Sequence, residues 1–125
     1  MKRIISTDKA PKAIGPYSQA VEAAGTLYIS GQLPVNSETG KVPEGIKAQT
    51  QQALNNIKAI LDAAGYSVQD VVKSTVLLND IGDFAAMNEI YAGFYSENPP
   101  ARAAYEVANL PLGVLVEIET IAVKS

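Results

Sequence analysis

Arg102 is a long cation among small side chains, in the segment PPARAAY at residues 99–105. Small neighbours leave space around a guanidinium, which can then hold a carboxylate through two parallel N–H donors. An arginine near the start of a predicted strand can equally lie in water or in a surface ion pair. Arg102 is therefore a candidate carboxylate ligand, with a solvated strand-edge arginine as the alternative.

Glu117 and Glu119 form a second candidate group within the last predicted strand, LVEIETIAV at residues 115–123. Alternation along a strand places both on the face shared with Leu115, Ile121 and Val123. A carboxylate in an apolar stripe must be solvated, paired or sited at a pocket, where a raised pKa would suit a general base or proton shuttle. The alternative is a half-exposed strand whose two glutamates lie in water.

Four further residues could line a pocket, although none is specific alone. Tyr17 follows a Gly-Pro pair in a loop, where its phenol could lie at a pocket rim or simply pack the loop against the core. Ser30 and Gly31 end a predicted strand, and a glycine there either lets a ligand approach the backbone or turns the chain. Asn88 lies one position off the apolar stripe of a predicted helix, where a polar residue is common.

The composition excludes many reaction types. The 125 residues include no His and no Cys, so a Ser-His triad, a thiol nucleophile, a disulfide framework and the usual imidazole or thiolate metal sites are excluded. We therefore expect no cofactor and no metal, with chemistry carried by Glu, Asp, Arg, Tyr, Ser, Asn or backbone groups. The net charge of −3 argues against binding that neutralises nucleic-acid or membrane phosphates.

The first eight residues, MKRIISTD, lack the apolar core of a signal peptide. The longest apolar runs fall far short of the roughly 20 residues that cross a bilayer. We therefore expect a cytoplasmic protein without a membrane partner.

Apolar patterning predicts a scaffold with the element order β-β-β-α-β-α-β-β. We predict strands at residues 2–6, 18–23, 27–31, 71–78, 101–107 and 115–123. Residues 46–64 repeat apolar side chains at helical spacing before Gly65, a typical C-cap, which predicts a helix of about 18 residues. Asp83 is the predicted N-cap of a second helix, whose buried stripe comprises Phe84, Met87, Tyr91 and Phe94.

Residues 1–125 are predicted to form one α+β domain, a mixed sheet with both helices packed on one face. Within the strand at residues 71–78 we place Val72, Val76 and Leu78 on one side. The chain has no third layer for the other sheet face, so we expect another subunit to cover it.

Five motifs together resemble the RidA (YjgF/UK) family of enamine/imine deaminases over essentially the whole chain. They are AIGPYSQA at residues 13–20, YISGQLP at 28–34, PAR at 100–102, EVANLP at 106–111 and VEIETIA at 116–122. The resemblance implies a fold like the bacterial chorismate-mutase type, assembled as a homotrimer with sites in clefts between neighbouring chains. It also implies hydrolysis of 2-imino acids, derived from 2-aminoacrylate and its relatives, to 2-oxo acids and ammonia.

The resemblance also implies roles for individual residues. Arg102 matches the arginine that holds the substrate carboxylate, and Glu117 matches the glutamate that positions and activates water. The pocket-lining positions of the family correspond here to Tyr17, Ser30, Gly31, Asn88 and Ala104. Many relatives carry Cys where this chain has Ala104, a position that meets the ligand through its backbone, so we expect binding to survive while thiol modification cannot occur.

Two other functions remain open at this point. The family has also carried ribonuclease and translation-inhibitor labels, although a net charge of −3 without His suits RNA cleavage poorly. A non-catalytic module that binds 2-oxo or imino acids would use the same Arg102. Turnover that depends on Glu117 would separate the enzyme from the binding module.

Overall fold

A mixed six-stranded sheet carries two helices in the computed structural model, which describes residues 1–124. The strands are β1 (Arg3–Ile5), β2 (Ala20–Ala23), β3 (Thr26–Gln32), β4 (Val71–Leu78), β5 (Ala101–Glu106) and β6 (Val116–Val123), and the helices are α1 (Ile46–Ala64) and α2 (Phe84–Phe94). The predicted element order is therefore confirmed, with strand ends that differ by one or two residues. Ser125, the last residue of the predicted domain, lies outside the described residues.

The strands lie in the order β1-β2-β3-β6-β4-β5. β4 and β5 pair in parallel because the intervening α2 returns the chain to the end where β4 began. All other neighbouring strands pair antiparallel. This order places β6 in the middle of the sheet and β5, which carries Arg102, at one edge.

Helix α1 forms where the sequence predicts it. Its apolar side chains recur every three or four residues and are buried against the sheet, and the chain leaves the helix at Gly65 in a left-handed conformation with φ of 81°. The Gly65 N–H donates to the carbonyls of Leu61 and Asp62, two carbonyl groups in the last turn of the helix. The predicted C-cap is confirmed.

Helix α2 buries Met87 and Tyr91, whereas Phe84 and Phe94 are only partly buried. Asp83 is the N-cap residue of this helix, as predicted, but its side chain accepts no helix N–H. Asp83 already belongs to a short 3-10 turn, in which the Asp80 carboxylate instead accepts the Gly82 N–H at 2.8 Å. The side-chain cap therefore belongs to the 3-10 turn that precedes the helix.

One predicted strand face is wrong at Val72. The pairing of β4 with β6 shifts register between Val71 and Lys73, and Val72 is left 46% exposed. Val76 and Leu78 are buried as predicted, but the third buried side chain in their row is Ser74. A bulge cannot be read from alternation, since alternation assumes an unbroken ladder.

The two faces of the sheet differ in what covers them. Both helices pack on one side, called here the helix face, where α1 contacts β3 and β6 and lies beside α2. The other side, called here the open face, leaves apolar and charged side chains uncovered in this chain. Its exposed members include Tyr28, Lys73, Tyr105, Glu119 and Val123. The predicted single layer of helices is confirmed.

Candidate functional site

Arg102 is held under α2 by three side chains of that helix. Its backbone pairs with Ser74, whose side chain is buried on the helix face, so Arg102 points to the same side. Its Nη1 donates a hydrogen bond of 2.7 Å to the Asn88 Oδ1. The guanidinium carbon lies 4.8 Å from the ring centre of Tyr91 and 5.4 Å from that of Phe84. These four residues are called the arginine cluster below.

The spacing of residues 84, 88 and 91 explains why one helix supplies all three contacts. Positions separated by four and seven residues share one face of an α-helix. The expectation of open space around Arg102 is therefore wrong in part, because two aromatic rings lie within 5.4 Å of its guanidinium carbon.

Part of the Arg102 guanidinium remains available for a ligand. Arg102 is partly exposed, and among residues 1–124 its guanidinium donates only to Asn88. A neutral amide uses one donor without neutralising the cation. Ala104, two residues along β5 on the same face, adds no bulk beside it.

Glu117 lies on the open face, half-buried in the middle of the sheet. Burial raises the pKa of its carboxyl, and the negative charge of Glu119 on the same face raises it further. A carboxylate with a raised pKa is a better base toward water than an ordinary surface glutamate. The predicted placement of the two glutamates on one sheet face is confirmed.

Gly31 makes room for the Glu117 carboxylate. The pairing of β3 with β6 shifts register between Ile29 and Gln32, so Ser30 and Gly31 form a bulge beside β6. A Cβ at Gly31 would overlap the Glu117 side chain. The glycine is required here for space, since its φ is not in the left-handed region. Glu117, Ser30 and Gly31 are called the glutamate cluster below.

Ser30 and Tyr17 connect the loop before β2 to this region. The Ser30 hydroxyl donates to the Ser18 carbonyl at 2.6 Å, which fixes the loop next to the bulge. The Tyr17 hydroxyl accepts the Ile14 N–H at 3.3 Å, while the Tyr17 side chain remains 52% exposed. Tyr17 thus closes its own loop and leaves a ring face free, rather than packing in the core.

The two clusters do not meet within one chain. On β4, Arg102 lies opposite Ser74 and Glu117 lies opposite Leu77, three residues further along. With about 3.3 Å per residue and 4.8 Å per strand, their Cα atoms are roughly 14 Å apart. Their side chains also leave opposite faces of the sheet. The chain by itself therefore brings Asn88 to Arg102 and Gly31 to Glu117, but not Arg102 to Glu117.

The cavities of the chain lie elsewhere. A groove of about 470 Å³ between the N-terminal loop and α1 is lined by Lys9, Asn55, Lys58 and Asp62, and contains no predicted site residue. A depression of about 130 Å³ on the open face includes Lys73 and Glu119. Neither encloses Arg102 or Glu117.

Comparison with known proteins gives the same relationship in three ways. The family model described as Endoribonuclease L-PSP matches residues 7–124. A RutC family protein of Pyrococcus horikoshii is 58% identical over 99% of both chains, and the 2-iminobutanoate/2-iminopropanoate deaminase of Capra hircus is 56% identical over 99% of this chain and 91% of its own. A crystal structure of E. coli TdcF with bound serine superposes with a TM-score of 0.96, at 45% identity over 98% of this chain and 99% of the other.

The chain belongs to the RidA (YjgF) family. The resemblance carried by the five motifs is thereby confirmed, as is the α+β fold of the family. In residues 1–124 of this RidA-family chain, no helix is long and apolar enough to cross a membrane.

Sequence reasoning missed two residues of the arginine cluster. Phe84 and Tyr91 were assigned only to the buried stripe of α2, yet both rings contact the Arg102 guanidinium. The sequence did contain a signal for this contact, because Asn88 lies between Phe84 and Tyr91 on the same helix face. An arginine in the strand after such a helix, in this RidA-family sequence, would be expected to point toward that face.

Proposed function

We propose that this RidA-family chain is a deaminase that hydrolyses 2-imino acids to 2-oxo acids and ammonia. The observation that supports this most directly is the state of Arg102. Its guanidinium is partly exposed and hydrogen-bonded to Asn88, and its remaining N–H donors are free to bind a ligand. Such a group suits a planar carboxylate, which every 2-imino acid carries. The name of the goat relative and the serine bound to TdcF, itself a small amino acid, agree with this substrate class.

The proposed site forms between subunits of a homotrimer with a chorismate-mutase-like fold. Arg102 lies on an edge strand and Glu117 on the uncovered face, on opposite sides of one sheet. A neighbouring copy that covers the open face can bring its own Arg102 near this Glu117. The exposed apolar side chains of that face, such as Tyr28 and Val123, favour such cover.

Each proposed step uses side chains or backbone of the residues described above. Arg102 holds the substrate carboxylate, and Tyr17, Ser30, Gly31, Asn88 and Ala104 line the pocket. Glu117 takes a proton from water as the water oxygen bonds to the imine carbon and the C=N electron pair moves to nitrogen. The protonated Glu117 returns that proton to the nitrogen, which gives a carbinolamine. Glu117 then takes the carbinolamine hydroxyl proton and passes it to the amino nitrogen as the C=O bond forms and the C–N bond breaks, so a 2-oxo acid and ammonia leave.

The energetic demand on these groups is small. An imine carbon is already electrophilic and hydrolyses unaided, so the protein has to orient the substrate and move the two water protons to nitrogen. A positioned general base supplies typically about 10²- to 10⁴-fold. The raised pKa of Glu117 fits that role.

The test is the rate of imine loss, with the substrate made in situ by a dehydratase acting on serine or threonine. We expect Arg102→Ala to lose nearly all of the acceleration and Arg102→Lys most of it, because an ammonium cannot reproduce the planar two-point contact. Arg3→Ala is the control, since Arg3 lies on the strand at the opposite edge of the sheet, where it bonds to Glu22 and to the Ala64 carbonyl. Near-normal kcat/KM in Arg102→Lys would contradict the carboxylate role.

The same assay separates the other two functions. If wild type binds 2-oxobutyrate but does not accelerate imine loss, the chain is a binding module for such acids. The family description favours endoribonuclease as a second candidate. RNA cleavage that co-purifies with the protein and disappears in Arg102→Ala would establish that activity instead.

A further inference from the structure

Four buried hydroxyls lie between the sheet and α2, next to the arginine cluster. Two belong to Ser74 and Thr120, which are paired neighbours on β4 and β6. The others belong to Tyr91 and Tyr95, one helical turn apart. All four are buried, and none has a hydrogen-bond partner of standard geometry within residues 1–124. Of these four side chains, Tyr91 is the one whose ring contacts the Arg102 guanidinium.

The four hydroxyls form two similar pairs, of which only one contacts Arg102. Burial raises the pKa of Tyr91, while the nearby Ser74 hydroxyl and the Arg102 charge lower it. Burial raises the pKa of Tyr95 as well, and the nearby Thr120 hydroxyl lowers it. The oxygens of each pair are thus neighbours, although their geometry falls short of a full hydrogen bond.

Ser74 and Tyr91, the first pair, are both neighbours of Arg102. The Arg102 backbone is paired with Ser74 in the parallel ladder. The Tyr91 ring lies 4.8 Å from the Arg102 guanidinium carbon, and the nearby Ser74 hydroxyl and the Arg102 charge both lower the pKa of Tyr91. Ser74 on β4, Tyr91 on α2 and Arg102 on β5 are therefore mutual neighbours.

We propose that Tyr91 is a positioning residue for Arg102. Its ring face fixes the plane of the guanidinium, and Ser74 supports the ring from below, so that the free donors keep the orientation in which a carboxylate meets two of them. Asn88 alone cannot do this, because a single hydrogen bond at Nη1 leaves the group free to tilt about that contact. A cation over an aromatic face resists that tilt.

The second pair supplies a matched control. Tyr95 is as deeply buried as Tyr91, at 4% against 5%, and packs with its ring 4.8 Å from the Tyr91 ring. It makes no cation–π contact with Arg102 among the described residues. Removal of the Tyr95 ring therefore costs similar packing without removing the surface on which the cation lies.

The experiment compares Tyr91→Leu, Tyr91→Phe and Tyr95→Leu with wild type, and its binding arm rests on the proposed function. Affinity for 2-oxobutyrate is measured by calorimetry, and KM and kcat by imine loss. We expect Tyr91→Leu to raise Kd and KM by about tenfold with kcat within about twofold. Tyr91→Phe, which keeps the ring, should stay within about threefold of wild type and Tyr95→Leu within about twofold.

A second readout needs neither ligand nor turnover. The chain contains only two arginines, Arg3 and Arg102, so their Nε–H groups can be told apart by NMR. We expect the order parameter of the Arg102 Nε–H to fall in Tyr91→Leu and to hold in Tyr95→Leu, with Arg3 unchanged in both.

Two results would overturn the proposal. One is an equal rise of Kd in Tyr91→Leu and Tyr95→Leu, which would mean a general packing effect. The other is an Arg102 order parameter that does not change in Tyr91→Leu. If wild type neither binds 2-oxobutyrate nor hydrolyses imines, the proposed function fails, and the order parameter alone then decides the role of Tyr91.

Discussion

The arginine cluster and the glutamate cluster are built in different ways. The arginine cluster is complete in one chain, since a single helix supplies the Asn88 and aromatic contacts to Arg102. The glutamate cluster contains a half-buried carboxylate that accepts no hydrogen bond from residues 1–124 and faces an uncovered surface. The first therefore resembles a preorganised binding element, and the second resembles one half of a site.

This difference teaches where the chain depends on assembly. A bound carboxylate needs only the cation and its supports, which one chain can fix. The proposed hydrolysis also needs Glu117 within reach of the substrate, and the sheet separates Glu117 from Arg102 within a chain. The comparison predicts that binding and turnover respond differently to substitutions in the two clusters.

The largest expected contrast comes from Glu117→Gln. An amide keeps the size of the side chain but cannot take a proton from water, so we expect kcat to fall by about 10²- to 10³-fold. The Kd for 2-oxobutyrate should stay near the wild-type value, because Arg102 is untouched. An equal loss of binding and turnover would mean that Glu117 shapes the pocket rather than carrying the proton.

Mixed assemblies test whether the clusters of different chains meet. Arg102→Ala and Glu117→Gln subunits are inactive separately, but a shared site would contain both wild-type groups in some mixed trimers. Random mixing through unfolding and refolding should return about a quarter of the wild-type activity in a closed symmetric ring. No recovery, with exchange verified by mass spectrometry, would contradict a shared site formed by Arg102 of one chain and Glu117 of its neighbour.

Gly31→Ala should harm the glutamate cluster while sparing the fold. The new methyl would overlap the Glu117 carboxylate and displace it, whereas the Gly31 backbone is not in the left-handed region. We expect kcat to fall by about tenfold, since a misplaced base loses much of its roughly 10²- to 10⁴-fold effect. Gly93→Ala is the control, because a Cβ at that position meets nothing within 4 Å. Equal kcat in the two variants would show that the tight fit at Gly31 is unimportant.

The smallest expected effect concerns pH. The negative charge of Glu119 contributes to the raised pKa of Glu117, so its removal should make the Glu117 carboxylate form more easily. In Glu119→Gln the acid limb of kcat/KM should therefore move to lower pH, and Glu38→Gln on the surface loop should leave it in place. A shift to higher pH, or none, would indicate that the limb reports another group.

Much of this molecule follows from local patterns in the sequence. Helix α1 and its Gly65 cap were predictable because apolar spacing and a left-handed glycine are properties of a few adjacent residues. The face shared by Glu117 and Glu119 was predictable for the same reason, since alternation holds along an unbroken strand. The motifs at residues 13–20 and 116–122 were among those that allowed the family to be recognised from the sequence.

What could not be predicted depends on contacts between distant segments. The bulge that exposes Val72 arises from pairing with β6, about fifty residues away in the chain. The rings around Arg102 come from α2, and the small residues next to Arg102 in sequence indicated open space instead. The separation of Arg102 from Glu117 required the strand order, which no single motif contains.

The position of β5 at the end of the sheet has a consequence for solubility. Its outer edge has no strand partner in this chain, and such an edge can recruit a strand from another molecule. The charge of Arg102 and the preceding Pro99-Pro100 both hinder that addition. Arg102→Ala would convert residues 99–105 to PPAAAAY, an uncharged edge, whereas Arg102→Lys keeps the charge. We therefore expect Arg102→Ala, which leaves Glu106 as the one charged side chain of β5, to be more prone to strand addition at this edge than Arg102→Lys.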